Sequence, residues 1–298
     1  MNIMKNLKNF LIKNSLIYYN NNGNNLLFKN IFPKIPPLYK LFYSEELDNE
    51  EFNELVSHIY YKKTWKTTLY KRNLLTDELI LKTIKSKKVN LLEVGASTGV
   101  SSLYLFYRLR KHLLTFYLTD YLFNVKIVKV KNSFFFYDTK GKSFIVANKH
   151  WTFLLDKKSF FPVFFLAKRY FRMKGKKYQK RYIDSGRDVV LLDRRILKLV
   201  EESDKIRIEQ WDTSEPWNHE QLDIIKVANV LNLVYLKKKE IINIVNNLKL
   251  ILKDDGLLFI TENREKENLS VFQKNNNKLI LRDRLNKGAE IEEFIEGI

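Results

Sequence analysis

Residues 89–109 constrain this chain more than any other segment. Val89 to Leu92, with Asn90 its one polar member, runs as a short apolar strand into Glu93-Val94-Gly95-Ala96-Ser97-Thr98-Gly99, and Ser101 to Leu109 follows with helical apolar spacing. The order is strand, glycine turn, helix. Glycines at such a turn permit positive φ and a close approach of ligand to backbone, while the open N–H groups of the helix start offer donors. A second apolar strand, Leu114 to Leu118, ends in Thr119-Asp120, which places this acid 21 residues past Gly99. In doubly wound α/β folds an acid at the end of the second strand accepts hydrogen bonds from ribose hydroxyls. A nucleotide-type ligand is therefore expected, with NAD and S-adenosylmethionine both open at this point.

The rest of the pattern separates the two. Arg194 to Glu202 has helical spacing, Lys205 to Gln210 reads as a strand, and Trp211-Asp212-Thr213-Ser214-Glu215-Pro216-Trp217 follows it. Asp223 to Asn229 reads as a fourth strand, Glu240 to Leu252 as a helix and Leu257 to Thr261 as a fifth strand. Ser270 to Phe272 and Lys278 to Arg282 then flank a polar Asn275-Asn276-Asn277 as a late hairpin. A dinucleotide-binding turn needs G-x-G-x-x-G, which Gly95-Ala96-Ser97-Thr98-Gly99 lacks.

From about Lys88 onward the chain resembles the class I S-adenosylmethionine-dependent methyltransferases. Glu93 to Gly99 is similar to the family's E-x-G-x-G-x-G turn with Ser97 in place of the middle glycine, and Ala96-Ser97-Thr98-Gly99 is close to the A-S-T-G of chemotaxis-receptor methyltransferases. Asp212, with Pro216-Trp217 four residues on, matches the D-x-x-x-[LPV]-P-[FW] loop. Asn229-Val230-Leu231 and Tyr235-Leu236 resemble the N-V-[LM] and Y-F of the chemotaxis enzymes, and Lys253-Asp254-Asp255-Gly256 resembles the L-K-P-G-G turn without its proline. Ala228 to Asn232 and Gly288 to Glu292 also resemble the A-N-[IV]-L-N and G-[SA]-E-I-E of uncharacterised bacterial methyltransferases.

The resemblance implies a doubly wound, mostly parallel seven-stranded sheet with a late antiparallel hairpin, and S-adenosylmethionine as cofactor. It implies cofactor contacts from Glu93, Gly95, Ser97, Gly99, Asp120, Asp212, Thr213 and Asn229: Asp120 on the ribose, Asp212 on the adenine amino group, and the Thr213 N–H on the ring. Asn229, Asn232 and Tyr235 follow the fourth strand and are candidates to orient a methyl acceptor, although capping that strand explains them equally well. His219 is a candidate base in a polar loop.

Several chemistries are excluded. The chain has no cysteine, so it has no disulfides, no thiolate metal site and no thiolate attack on a cytosine ring. Its four histidines, His58, His112, His150 and His219, are too scattered for metal-ligand spacing, and no metal is expected. Asn229-Val230-Leu231-Asn232 stands where amino-directed nucleic-acid enzymes carry [DNS]-P-P-[YFW], which disfavours adenine-N6 methylation; Pro36-Pro37 lies too early for that role.

Charge singles out one segment. The chain of 298 residues carries a formal charge of +19, and residues 121–186, placed between Asp120 and a helix expected to begin near Val189, carry 16 Lys and Arg against 3 acids. They also hold 17 of the 41 aromatic residues. The first half alternates over Val125 to Lys131, Phe134 to Tyr137 and Ser143 to Val146, which predicts a hairpin or three-stranded subdomain. The second half joins apolar Phe160 to Ala167 to Lys168, Arg169, Arg172, Lys174, Lys176, Lys177, Lys180 and Arg181 without an acid among them. Three readings are open: a lid for a lipid-like or anionic small-molecule acceptor at an anionic membrane surface, an RNA-binding arm, or a solvated face whose phenylalanines form their own core.

The expected organisation is an N-terminal helical cap over 1–87, starting with a helix through Ile3, Leu7, Phe10, Leu11, Asn14 and Ile17, then a methyltransferase domain over 88–298 interrupted by a basic aromatic insertion at 121–186. Lys13 and Asn14 interrupt the N-terminal apolar stretch before signal-peptide length, and Phe160 to Ala167 is far short of a membrane span. The expectation is a cytoplasmic enzyme, peripheral to a membrane if 121–186 binds one. Alternatives are an RNA methyltransferase, or a noncatalytic membrane- or RNA-binding protein on the same fold.

Overall fold

The computed structural model describes residues 17–20, 34–84, 88–157 and 162–298, with backbone alone at 17–20. The helix expected from Ile3 onward lies outside the described residues, except that Ile17 begins a strand. The chain forms two compact units, one taking the chain up to Thr67 together with Leu122–Leu191, the other Thr68–Tyr121 together with Leu192–Ile298. These boundaries differ from a cap over 1–87 and an insertion over 121–186, because the N-terminal region and the inserted segment share one sheet.

The first unit holds α1 (Asn49–Ser57) and a small hairpin of β3 (Tyr60–Tyr61) and β4 (Thr64–Trp65). In it, β1 (Ile17–Asn20), β2 (Lys34–Ile35), β7 (Asn124–Val130), β8 (Ser133–Tyr137), β9 (Ser143–Ala147), β10 (Trp151–Leu154) and β11 (Arg187–Val190) form a seven-stranded sheet in the order β11-β7-β8-β9-β10-β1-β2. All pairs are antiparallel except β1 with β2. This corrects the expected hairpin or three-stranded subdomain. Residues 187–190 are also an edge strand where a helix was expected near Val189. The difference arises because β1, β2, β10 and β11 are two to four residues long, too short to show a period, and exist only through pairing across the chain.

Both faces of this sheet are covered. Phe135, Tyr137, Val146 and Phe153 pack beneath α4 (Pro162–Tyr182), whose Phe164, Ala167, Phe171 and Tyr178 lie against them. Phe134, Phe136 and Phe144 point the other way: the tilted rings of Tyr39 and Phe42 pack on Phe134 at 5.5 and 5.4 Å, and Tyr61 meets Phe144 at 5.1 Å. A strand buried on both sides loses its alternation, which is why Phe134-Phe135-Phe136-Tyr137 reads as an unbroken apolar run. These phenylalanines are the unit's own core.

In the second unit the strands are β5 (Val89–Val94), β6 (Leu113–Asp120), β12 (Ile206–Gln210), β13 (Leu222–Ala228), β14 (Leu252–Asn263), β15 (Glu267–Asn275) and β16 (Lys278–Leu285), in the order β12-β6-β5-β13-β14-β15-β16. The first five run parallel, and β15 and β16 add an antiparallel meander. The sheet is thus mixed and mainly parallel, with the expected late hairpin. All six residues of β5 are buried, as a central parallel strand requires. The turn expected at Lys253 to Gly256 is instead a bulge inside β14: Leu222 pairs with Leu252 but Ile224 with Leu257, and Asp255 absorbs the excess residues at φ +64°.

Helices α2 (Leu74–Thr83), α3 (Leu103–Leu109), α5 (Arg194–Glu202) and α6 (Lys238–Ile251) complete this unit. The α2 start is capped at a distance: Glu267 accepts from the N–H groups of Leu75 and Thr76, at 3.1 and 2.7 Å, satisfying donors that the helix itself cannot. Asp193 caps α5 by accepting from the Arg195 N–H. Ile241, Val245 and Leu248 of α6 sit in the core with Leu92, Ile225 and Leu258 of the sheet. Among the described residues, no helix is long and apolar enough to cross a membrane.

Candidate functional site

The parallel strands of the second unit end side by side, and most of the sequence-predicted site residues lie on the loops that leave them. After β5 the chain turns sharply through Gly95 (φ +77°), Ser97 (φ +57°) and Gly99 (φ +75°). Three left-handed residues in five keep the loop tight, and Ser97 adopts a conformation uncommon for a residue with a side chain. Both glycines are required. A Cβ on Gly95 would overlap Val230 on the loop after β13, and one on Gly99 would come within 2.9 Å of Ile196 in α5. The loop is held from outside as well: Gly95 and Ala96 donate to the Thr119 carbonyl, Asp193 N–H donates to the Thr98 carbonyl, and the Thr68 and Thr98 hydroxyls lie 3.0 Å apart.

Asp120 ends β6 and reaches this turn directly, its Oδ2 accepting the Ser97 N–H at 2.9 Å. Its carbonyl accepts the Trp211 N–H that opens the loop after β12. On that loop Asp212 Oδ1 accepts from the N–H and hydroxyl of Ser214 at 3.0 and 2.7 Å. Thr213 is buried; its carbonyl accepts from Asn247 of α6, and its hydroxyl lies 3.5 Å from that of Tyr121. The structure therefore brings Gly95, Ser97, Gly99, Asp120, Asp212 and Thr213 to one edge of the sheet, joined through Asp120.

Asn229, at the end of β13, is left-handed at φ +60°, and its Oδ1 accepts the Asn263 N–H at 2.7 Å. The Asn263 amide in turn donates to Asn73 Oδ1. Asn232 Oδ1 accepts the Val234 N–H, and its carbonyl accepts those of Tyr235 and Leu236, so it organises its own turn. Arg72 is influenced by Tyr235, although burial is the larger effect and draws the guanidinium below its ordinary pKa. His219 falls in another cluster. Its Nε2 pairs with Glu209 Oε2 at 2.7 Å, and its ring packs on Trp217 and Tyr117 at 4.8 and 5.1 Å.

Glu93 points into the core. It is 2% exposed, and its Oε1 lies 3.1 Å from Lys226 Nζ, which also lies 2.8 Å from Asp77 Oδ1. Burial alone would lower the Lys226 pKa, but the two carboxylates override it and hold the ammonium above its ordinary value. Asp77 is pushed up to about 6, mainly by burial, with Lys226 opposing and Glu93 adding to the rise. The Oε2 of Glu93 is buried and accepts no hydrogen bond from the described residues, which leaves one unmet acceptor near the end of β5.

Sequence reading missed Asp77, Lys226, Asn73, Asn263 and Glu262. Lys226 had a visible signal, since a lysine inside Ile224-Ile225-Lys226-Val227 must find a carboxylate if that strand is central. Asn73 and Asn263 had none, being 190 residues apart. Glu262 ends up buried next to Thr261, its carboxyl raised in pKa by burial. Among the described residues, no group of three or more His, Asp or Glu is placed to hold a metal ion.

No protein-family model and no curated sequence matches the chain. Among solved structures it is similar to the N-methyltransferase NodS from Bradyrhizobium japonicum WM9 in complex with S-adenosyl-L-homocysteine, with 15% identity over 74% of this chain and 72% of that one and a TM-score of 0.33. It is also similar to the CurJ carbon methyltransferase, with 14% identity over 76% of this chain and a TM-score of 0.36, and to the citrinin polyketide synthase CMeT domain, with 12% identity over 58% and a TM-score of 0.28. The chain spans 42% and 28% of those two proteins. At 12 to 15% identity no residue role carries over from these proteins.

Proposed function

We propose that the second unit binds S-adenosylmethionine at the ends of β5, β6 and β12 and that the protein is an S-adenosylmethionine-dependent methyltransferase. The observation that carries this reading is the hydrogen bond from the Ser97 N–H to Asp120 Oδ2, which couples a left-handed glycine turn to an acid at the end of the neighbouring parallel strand. The donor set fits the cofactor. Asp120 and Asp212 are carboxylates, acceptors of the kind that ribose hydroxyls and an adenine amino group require. Glu93 Oε2 is an acceptor suited to an ammonium or N–H donor.

When bound, S-adenosylmethionine supplies a methyl group already carried on a positively charged sulfur. The protein's work is then alignment of an acceptor and exclusion of water, which requires no strong base. Asn229, Asn232 and Tyr235 are read as orienting the acceptor, with the Asn229 side chain braced by Asn263. His219, paired with Glu209, is the less suitable base. The acceptor is read as a lipid-like or anionic small molecule, a reading that leans on the basic, aromatic composition of residues 121–186.

Calorimetric titration of the full chain with S-adenosylmethionine, its demethylated product and NAD tests the proposal. Binding of the first two, weakened in Asp120→Ala, is expected. Binding of NAD with no response to either adenosyl compound would overturn it.

A further inference from the structure

The long helix of the first unit has two apolar faces, and the sheet accounts for only one. Phe164, Ala167, Phe171 and Tyr178 of α4 pack on the sheet, and the Gly175 carbonyl accepts the buried Tyr137 hydroxyl. Phe165, Leu166, Tyr170 and Met173 are directed outward, and each exposes half or more of its surface, from 50% at Tyr170 to 64% at Leu166. With Arg169, they occupy positions i, i+1, i+4, i+5 and i+8, one continuous strip about 12 Å long at the helical rise. The same strip continues for about two turns further through Lys176, Lys177 and Lys180, all exposed. Solitary exposed apolar residues need no explanation, but four neighbours on one face do.

Charge identifies the partner. Between Pro162 and Tyr182 there are eight Lys and Arg and no acid. Asp156, which lies 3.9 Å from Arg172, is already engaged by Lys142. We propose that this outward strip of α4 docks on an anionic lipid bilayer, the helix inclined so that Phe165, Leu166 and Met173 enter the acyl chains while Lys176, Lys177 and Lys180, further along the same strip, rest on the headgroups. Buried apolar area and the attraction of cations to anionic lipids are the two contributions that hold such a helix at an interface. Arg169, inside the apolar stretch, has the reach to lift its guanidinium to the phosphates while its stem stays buried. Tyr170, with the Lys174 ammonium 5.5 Å from its ring centre, belongs at the boundary where an aromatic body meets polar headgroups. RNA would pair with the cations equally well but would leave Leu166 and Met173 wet, because neither has a face on which a base can stack. The inference does not depend on methyl transfer, since α4 carries none of the cofactor candidates.

Because the chain has no cysteine, a single one can be introduced and labelled. Met173→Cys carrying an environment-sensitive fluorophore is mixed with vesicles of equimolar phosphatidylcholine and phosphatidylserine, or of phosphatidylcholine alone. Leu250→Cys, exposed on α6 of the other unit, is the control. A blue shift at position 173 with anionic vesicles only, and none at 250, is expected. In co-sedimentation, Phe165→Ser with Leu166→Ser, and separately Lys176→Glu with Lys177→Glu and Lys180→Glu, should each weaken binding about tenfold or more, and wild-type binding should fall steeply with salt. All five positions are exposed, so the variants keep the fold, which circular dichroism checks. Equal binding to neutral vesicles, no shift at position 173, or a serine variant that sediments like wild type would overturn the proposal. So would a gel shift with RNA in the absence of any vesicle binding.

Discussion

Lys226 holds the Asp77 carboxylate at 2.8 Å inside the second unit, with both side chains fully buried, and so ties α2 to the middle of β13. Glu93 makes the pair a triad with one surplus negative charge. Removing the ammonium leaves two carboxylates without compensation in the core, so Lys226→Met should cost about 3–5 kcal/mol. Urea unfolding measures it. A loss within experimental error of zero would mean that the triad does not hold the unit together.

The same triad makes stability depend on pH. Asp77 is pushed up from the ordinary aspartate value of 3.8 to about 6 in the fold, mainly by burial. A carboxyl that binds its proton more tightly when folded stabilises the fold at low pH; this contribution is complete below about pH 4 and fades as pH rises through 6. Asp77→Asn should therefore flatten the decline of melting temperature between those two values. A wild type and variant with parallel profiles across that window would contradict the assignment.

Gly95 permits no side chain. Its φ of +77° and the overlap of any Cβ with Val230 predict that Gly95→Ala loses both stability and cofactor affinity, about tenfold in the latter for each 1.4 kcal/mol of strain felt at the site. Adding Val230→Ala should recover the packing part and leave the conformational part. Full recovery by the second substitution would show that the left-handed backbone carries no cost.

Asp120 serves two ends, bracing Ser97 and, as proposed, accepting from the ribose. Asp120→Ala should weaken S-adenosylmethionine about tenfold or more, while Asp120→Asn, which retains one oxygen for Ser97, should fall between it and wild type. Calorimetry on the three proteins gives the order. Equal affinity in all of them would remove Asp120 from the site.

Asp212 follows the same logic with a different neighbour. Its Oδ1 organises the loop through Ser214, so Asp212→Asn should preserve the turn and lose only the charge, whereas Asp212→Ala should lose both. Adenosyl affinity should decline in that order. If neither change matters, the adenine contact lies on another loop.

What the sequence determined by itself is what local pattern can carry. The apolar run of β5, its left-handed exit through Gly95 and Gly99, and an acid 21 residues on at the end of β6 are properties of contiguous segments, so they were readable without knowing what lies beside them. The same holds for α5, α6 and β13, whose periods are long enough to count. Tertiary structure alone decided what depends on distant pairing. It drew the strand at Ile17–Asn20 against β10 and made one seven-stranded sheet of an N-terminal region and an inserted segment. It turned Lys253 to Gly256 from an expected turn into a bulge, set Glu93 against Lys226, and joined Asn229 through Asn263 to Asn73. Short strands have no intrinsic signature, and a buried charge declares only that it needs a partner. Which partner it meets is set by chain segments more than a hundred residues apart, brought together when the two faces of each sheet are covered.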